Sequence, residues 1–305
     1  MADQRTWKDR RRDIEGKLSF WAFRRAQRWL GRKQGADRER TGEKLGRMLF
    51  RASKKHRERA YRNFRLAFPE MSQDAMQALA QRVFEHYGRT TADFLTSQGR
   101  TKEQIDAMVT VEGREHIQAA IDRGKGTLFI TAHFGNWELL AQWMAFNGYP
   151  LHVIARDVRN KNLNDAVNAI RLGPGTKVLS RGNAARAILG VLKENGIVGI
   201  LPDQNETELF IPLFGHTAGT VLGPGVIHAR TDATVVAGYC AYEAPGKYRI
   251  IFEPPLTPEP GYETRGEGLM RAIHTSLEEM VRRYPEQWLW FHDRWKSARQ
   301  RGLVP

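Results

Sequence analysis

Apolar residues recur along this chain with two different periods, and the change between them falls near Thr101. Before it the period is helical. Residues 17–30 read KLSFWAFRRAQRWL, which gathers Leu18, Ala22, Ala26 and Trp29 on one side, with Phe23 and Leu30 beside them. Lys17, Arg24 and Arg28 fall opposite, and Trp21 intrudes on that basic side. Residues 41–68 continue as helix with apolar positions Leu45, Met48, Leu49, Tyr61, Phe64 and Leu66, and Pro69 ends it. Ser72 is placed to cap a further helix over 73–94, in which Met76, Leu79, Ala80, Val83, Phe84 and Tyr87 repeat at helical spacing.

After Thr101 strands and helices alternate. Residues 113–123 predict a helix, Gly124, Lys125 and Gly126 a turn, and 127–132 (TLFITA) a strand apolar enough to be buried on both faces. His133 follows at once, and 137–146 is again helical. Further strands are expected at 151–155, 177–179, 197–201, 235–242 and 248–252. Helices are expected at 162–171, 184–195, 220–230 and 267–284. This alternation predicts an α/β fold: a single catalytic domain with a central mixed, largely parallel sheet flanked by helices, preceded by a basic helical N-terminal arm. The arm is assigned to residues 1–40 and the catalytic domain to 41–305. In such sheets the site lies at the carboxyl ends of the strands, where His133, Arg156 and Asp203 stand.

Charge sharpens the division. The chain of 305 residues carries +14 overall, yet residues 1–60 hold 20 Lys and Arg against 8 Asp and Glu, while the rest hold 28 against 26. A nucleic-acid enzyme spreads its cations along a groove, so no nucleic-acid partner is expected. A local basic arm suits an anionic membrane surface, at about 1 kcal/mol per basic residue near the headgroups. Aromatic residues opposite a basic stripe describe an in-plane interfacial helix, although an ordinary surface helix has the same pattern. No run of about twenty apolar residues predicts a membrane span, and no cleavable signal is visible at the start. The single Cys, Cys240, lies in an apolar run and is expected to be a buried small hydrophobe.

The stretch His133-Phe134-Gly135-Asn136-Trp137-Glu138 carries the candidate chemistry. A His at the end of a buried strand, with a glycine to turn the backbone, is held rigidly. Glu138 is expected to fold back onto one imidazole nitrogen, leaving the other to take a proton from a hydroxyl. No G-x-S-x-G elbow is present and the thiol is buried, so the attacking group is expected to come from a substrate. A phosphate-binding glycine loop is excluded because position 119 is Ala, and no paired His spacing indicates a metal. The plain alternative is that His133 packs and Glu138 is a surface residue. Arg156 has one too, as a partner for Asp157 or Asp165.

Companion stretches follow in order: Ile154-Ala155-Arg156 with residues 160–164, Ser180-Arg181-Gly182, Leu201-Pro202-Asp203-Gln204, residues 210–215 (FIPLFG) with Thr220, and residues 285–296 (PEQWLWFHDRWK). With residues 130–140 they make the chain, from about Arg47 to Lys296, resemble the bacterial lipid A biosynthesis (late) acyltransferases of the lauroyl and myristoyl type, within the lysophospholipid-acyltransferase-like group. The resemblance implies a glycerolipid-acyltransferase-like fold, His133 as general base and Glu138 as its orienting partner. It implies substrate-binding roles for Arg156, Asn164, Arg181, Asp203, Gln204, Phe214, Gly215 and Arg294. It implies no cofactor or metal, an acyl carrier protein thioester as co-substrate, a glycolipid acceptor, and a place at the cytoplasmic face of the inner membrane; the lack of a predicted membrane span makes peripheral attachment the expectation there. Many members carry an N-terminal transmembrane helix, and here only the interrupted 17–30 segment stands in its place. Arg294 and Lys296 read equally well as a solvated face, and Trp288, Trp290 and Phe291 as core. A mannoside or aminolipid acceptor, and a basic binding protein on an inactive scaffold, remain the competing readings.

Overall fold

The N-terminal part folds as helices, as its period requires. In the computed structural model, which describes residues 7–149, 151–155, 160–171, 176–180 and 184–305, α1 (Trp7–Gly31), α2 (Gly35–Ala52), α3 (Lys54–Ala67) and α4 (Gln73–Thr96) come first. Ser72 caps α4 as expected, its side chain accepting from the Ala75 amide at 3.3 Å. The expected helix over 41–68 is broken at Ser53, whose φ of −105° and ψ of 80° are not helical. Nor does any break fall at residue 40, which lies inside α2. That helix is bound tightly to α4. A Cβ on Gly46 would come within 2.1 Å of the Phe84 carbonyl oxygen, and one on Gly88 within 2.1 Å of that of Gly42. Glycines there let two backbones touch.

The stripe read in α1 divides in two. Phe23, Ala26 and Leu30 pack on Ala92 and Leu95 of α4, whereas Leu18, Trp21 and Trp29 face outward. Folding back onto α4 takes up one flank of the stripe and leaves the other beside arginines. Among the described residues no helix is long and apolar enough to cross a membrane.

The alternating part runs α5 (Lys102–Asp106), β1 (Val109–Glu112), α6 (Arg114–Asp122), β2 (Thr127–Ile130), α7 (Trp137–Phe146), β3 (Leu151–Ala155), α8 (Lys161–Arg171), β4 (Lys177–Ser180), α9 (Ala184–Lys193) and β5 (Ile197–Ile200). It continues with β6 (Leu209–Leu213), β7 (His216–Thr220), α10 (Gly223–Thr231), β8 (Thr234–Ala244), β9 (Lys247–Phe252), α11 (Glu267–Arg283) and α12 (Lys296–Gln300). Among the described residues the main sheet has seven strands in the order β1-β9-β8-β2-β5-β3-β4, parallel at every junction except β8/β9. The expected mixed α/β sheet is therefore present. The antiparallel hairpin β6/β7 was not expected, and it moves the start of the helix placed at 220 to Gly223.

β2 is buried throughout, and its alternation sorts two cores. Leu128 and Ile130 join a core built with α4 and α11, and Phe129 joins one with α6 and α7. Cys240, on β8, is fully buried in the second core, and burial raises its thiol far above the usual range. β2 and β5 are parallel neighbours with Thr127 opposite Ile197 and Ile130 opposite Ile200. The same offset carried three residues onward sets His133 beside Asp203.

Candidate active site

The site forms where β2 and β5 end. Asp203 Oδ1 faces His133 Nδ1 at 2.9 Å, and Oδ2 accepts from the His133 backbone N–H at 3.0 Å. The Trp288 indole N–H also donates to Oδ2, at 3.0 Å. Asp203 is buried and met by donors on both oxygens. Burial alone would raise its carboxyl, but the His133 charge and these hydrogen bonds hold it down at about 2. A charged acceptor at Nδ1 fixes the proton there, so Nε2 is the free, basic nitrogen. Gln204 Nε2 stands 3.4 Å from it, on an exposed side chain.

The loop that carries His133 is fastened from behind. Tyr87 donates its hydroxyl to the His133 carbonyl oxygen. Gly135 adopts φ +55°, and a Cβ there would meet the Cys240 carbonyl oxygen at 1.9 Å, so the turn requires glycine. The Gly135 N–H donates to the Gln287 carbonyl at 2.8 Å and the Asn136 N–H to that of Cys240 at 2.9 Å. Asn136 caps α7, its Oδ1 accepting from the Leu139 amide at 3.0 Å. Its Nδ2 donates at 2.8 Å to Asp93, which is paired with Arg100. The Trp137 ring lies edge-on to the imidazole with centroids 5.4 Å apart.

Several expectations about individual residues need correction. Glu138, expected on the imidazole, instead accepts from Arg171 Nε at 2.9 Å and Nη2 at 2.7 Å. The Nδ1 position is already filled by Asp203, and α7 turns Glu138 toward the end of α8. Its charge still reaches His133, as one of the influences that favour the imidazolium. Arg294 is not on a binding surface: it is 1% exposed, donating to the Gly219 carbonyl and, at 3.2 Å, to His274 Nε2. Phe214 and Gly215 form the turn of the β6/β7 hairpin at φ 52° and 73°. The Phe214 ring is buried among Trp288, Trp290 and Trp295, and its amide donates to Glu278. Phe214 holds the hairpin on the core, and Gly215 is exposed at its turn. Asn164 is half-buried on α8, two turns before Arg171. Arg156 and Arg181 lie outside the described residues.

Sequence reasoning missed the contributions of Trp288, Tyr87 and Arg171. The first was visible inside the ending PEQWLW, where it was read as core. It is core, at 2% exposure, and it also donates to Asp203. Nothing in the pattern of α4 or α8 singles out the other two.

Burial opposes protonation of His133, and the charge and hydrogen bond of Asp203 outweigh it, so the imidazole titrates above its ordinary 6.5. An imidazole held by a carboxylate on Nδ1, with a basic Nε2 beside an exposed side chain, can accept a proton from a hydroxyl.

Comparison with known proteins gives the arrangement its context. The sequence model of the bacterial lipid A biosynthesis acyltransferases matches residues 25–297. The chain is 26% identical over 265 residues to a lipid A biosynthesis lauroyltransferase of Escherichia coli, covering 85% of each chain. It is 24% identical over 261 residues to the lipid A biosynthesis palmitoleoyltransferase of the same organism, covering 84% of each. A phosphatidylinositol mannoside acyltransferase of Mycolicibacterium smegmatis is 23% identical over 203 residues, 65% of this chain and 64% of that one. The match spans the His133 loop, the Asp203 segment and the Trp288 ending alike, and the chain belongs to the bacterial lipid A biosynthesis acyltransferase family.

Proposed function

We propose that this enzyme moves a fatty acyl chain from an acyl carrier protein thioester to a hydroxyl of a lipid A precursor, in one direct step, as a late acylation. The single observation that carries the chemistry is the Asp203–His133 pair, which holds the proton on Nδ1 and leaves Nε2 basic, next to the exposed Gln204 amide. His133 Nε2 takes the proton of the acceptor hydroxyl as its oxygen attacks the thioester carbonyl. The new C–O bond forms, the C–S bond breaks, and the proton passes from the imidazolium to the departing thiolate. Asp203 holds the tautomer and stabilises the imidazolium. Arg171, held by Glu138 beside this pair, is a cation suited to an anionic part of the acceptor or to the developing oxyanion. The enzyme works peripherally at the cytoplasmic face of the inner membrane, where its lipid acceptor resides, with the basic residues 1–40 as its membrane-associating part.

The purified chain, given acyl carrier protein thioester and a lipid A precursor, should form an ester heavier by one acyl chain in the mass spectrum. The smegmatis relative favours one second reading, a mannoside acceptor. Acylation of a mannolipid with no product from the lipid A precursor would establish that reading instead. No product from either would leave a binding protein on an inactive scaffold.

The raised imidazole sets the pH dependence. A general base works only when neutral, so kcat/KM should rise with pH through a midpoint above 6.5. A midpoint at or below 6.5 would mean that His133 does not act as the base.

A further inference from the structure

We infer that Gln204 is a catalytic residue: its side-chain amide covers His133 Nε2 in the resting enzyme, yields that place to the acceptor hydroxyl, and then donates to the oxyanion that forms on the thioester carbonyl; this rests on the acyl-transfer reading above. Attack on a carbonyl puts negative charge on its oxygen, and losing one donor to that oxygen costs about 100- to 1,000-fold in rate. His133 and Asp203 supply the base and its partner, but no donor for this charge. The His133 backbone N–H and the Trp288 indole both face Asp203. Arg171 is gripped by Glu138 at 2.9 Å and 2.7 Å, and is left for an anionic part of the acceptor.

The chain around Gln204 is pinned on both sides. Asp203 is fixed by the three bonds already described. The Asn205 N–H donates to His292 Nε2 at 3.0 Å. Burial lowers His292 to about 4, so that nitrogen stays an acceptor at neutral pH. Asn205 Oδ1 accepts from the Ser297 backbone N–H at 2.9 Å and from its hydroxyl at 2.7 Å. Between these fixed neighbours the Gln204 side chain is exposed, and its polar contact among the described residues is His133 Nε2. A rigid backbone thus presents a free amide at the reacting nitrogen.

Proton placement orients the amide. Asp203 keeps the imidazole proton on Nδ1, so Nε2 offers a lone pair and the amide meets it with its NH₂ group. At 3.4 Å the contact is long for a hydrogen bond. A hydroxyl approaches a base to about 2.6–3.2 Å, and it displaces the amide without stranding a buried group. The NH₂ group then lies beside the hydroxyl oxygen. As that oxygen attacks, the C–O bond forms, the proton passes to Nε2, and the carbonyl π pair moves onto its oxygen, two bonds from the attacking atom. A Gln204 N–H donates to this oxyanion. Collapse returns the pair, breaks the C–S bond, and the thiolate takes the imidazolium proton. The bond strengthens as charge develops, so it favours the transition state over the bound substrate.

The test is steady-state turnover of acyl carrier protein thioester and lipid acceptor by Gln204→Leu and Gln204→Glu, each with a melting curve. Leucine removes the donors, and glutamate offers the oxyanion only acceptor oxygens. Both should lower kcat about 100- to 1,000-fold, with KM for either substrate within about threefold of the parent, because the lost bond belongs to the transition state. Melting temperatures should stay parental, since the side chain is exposed. Parental kcat in Gln204→Leu would overturn the inference. So would a gain in kcat/KM, which would make the amide a mere plug on Nε2, a loss confined to KM, which would make it a binding group, or a lowered melting temperature, which would make it structural. If the parent acylated no lipid yet hydrolysed the thioester, the acceptor reading would fail while the hydrolysis rates of the variants still judged Gln204. With neither reaction, both would fall.

Discussion

Replacing Asp203 by Asn is expected to lower kcat about 10⁴-fold with the fold retained. The geometry dictates why. Both acceptor positions of Asp203 face donors: the His133 backbone N–H and the Trp288 indole on Oδ2, the imidazole Nδ1 on Oδ1. An amide offers only one oxygen. The two donors fixed by backbone and buried indole claim it, so the NH₂ group turns toward Nδ1. The imidazole must then carry its proton on Nε2, where no hydroxyl proton can be accepted. The acid limb of the rate should move as well. With the Asp203 charge gone, burial dominates His133, and its midpoint should fall below 6.5. His133→Ala should be at least as damaging, and adding Asp203→Asn to it should cost little more, because the two act as a unit. Glu138→Gln should cost about 10- to 100-fold, expressed in KM as much as in kcat, because it weakens a charge-assisted grip on Arg171. Steady-state kinetics on the purified variants decides. A loss of about 10⁴-fold in kcat from Glu138→Gln, with Asp203→Asn near parental, would restore Glu138 as the orienting carboxylate.

That exchange of roles marks how far the sequence could be read. Periodicity located β2 and β5 to within a residue or two, and with them His133 and Asp203 at two strand ends. It could not tell that these strands are neighbours. A β5 beside β3 alone would fit the same pattern, and only the pairing of Thr127 with Ile197 brings the two ends together. Glu138 was near in sequence and Asp203 was seventy residues away, so the local candidate was chosen. The hairpin β6/β7 escaped for a different reason. Its first strand carries Pro212 and its second reads HTAGT, a sequence with little apolar alternation, and its turn puts a phenylalanine at positive φ. Packing of Phe214 among tryptophans outweighs the cost of that conformation. β1 is a four-residue strand with one half-exposed face, too short for alternation to stand out. In α1 the period correctly gave a helix with an apolar stripe, but which flank would be covered depended on α4, which the local sequence does not encode.

Arg294→Ala is expected to destabilise the fold by about 3–5 kcal/mol, the range for removing one partner from a buried charged network. The residue stands in the segment most like the family ending, and a substrate role was the natural expectation. Its surroundings are those of a structural group. Nη1 donates to the Gly219 carbonyl on β7, and Nη2 to His274 Nε2 on α11. His274 completes the chain by donating from Nδ1 to the Pro212 carbonyl at 2.8 Å. The guanidinium thus ties the C-terminal segment to both strands of the β6/β7 hairpin and to α11. Burial lowers its pKa to about 10, which still leaves it charged at neutral pH, with the Asp203 charge supporting it. Burial, and then the Arg294 charge, hold His274 at about 3. A depressed histidine contributes stability that is present above 6.5 and is lost as pH falls toward about 3, because the unfolded chain takes up the proton first. Alanine leaves His274 Nε2 without a partner, leaves the Gly219 oxygen with the Glu206 N–H at 3.2 Å in place of two donors, and opens a void. It also removes one cause of the His274 depression, so the acid loss of stability should become shallower. Lysine should not rescue, since one ammonium cannot span two acceptors set by a fork. Thermal unfolding across pH measures the loss, and the KM values of the folded fraction for donor and acceptor should match the parent. A parental melting curve with a raised KM would put Arg294 back among the groups that touch substrate.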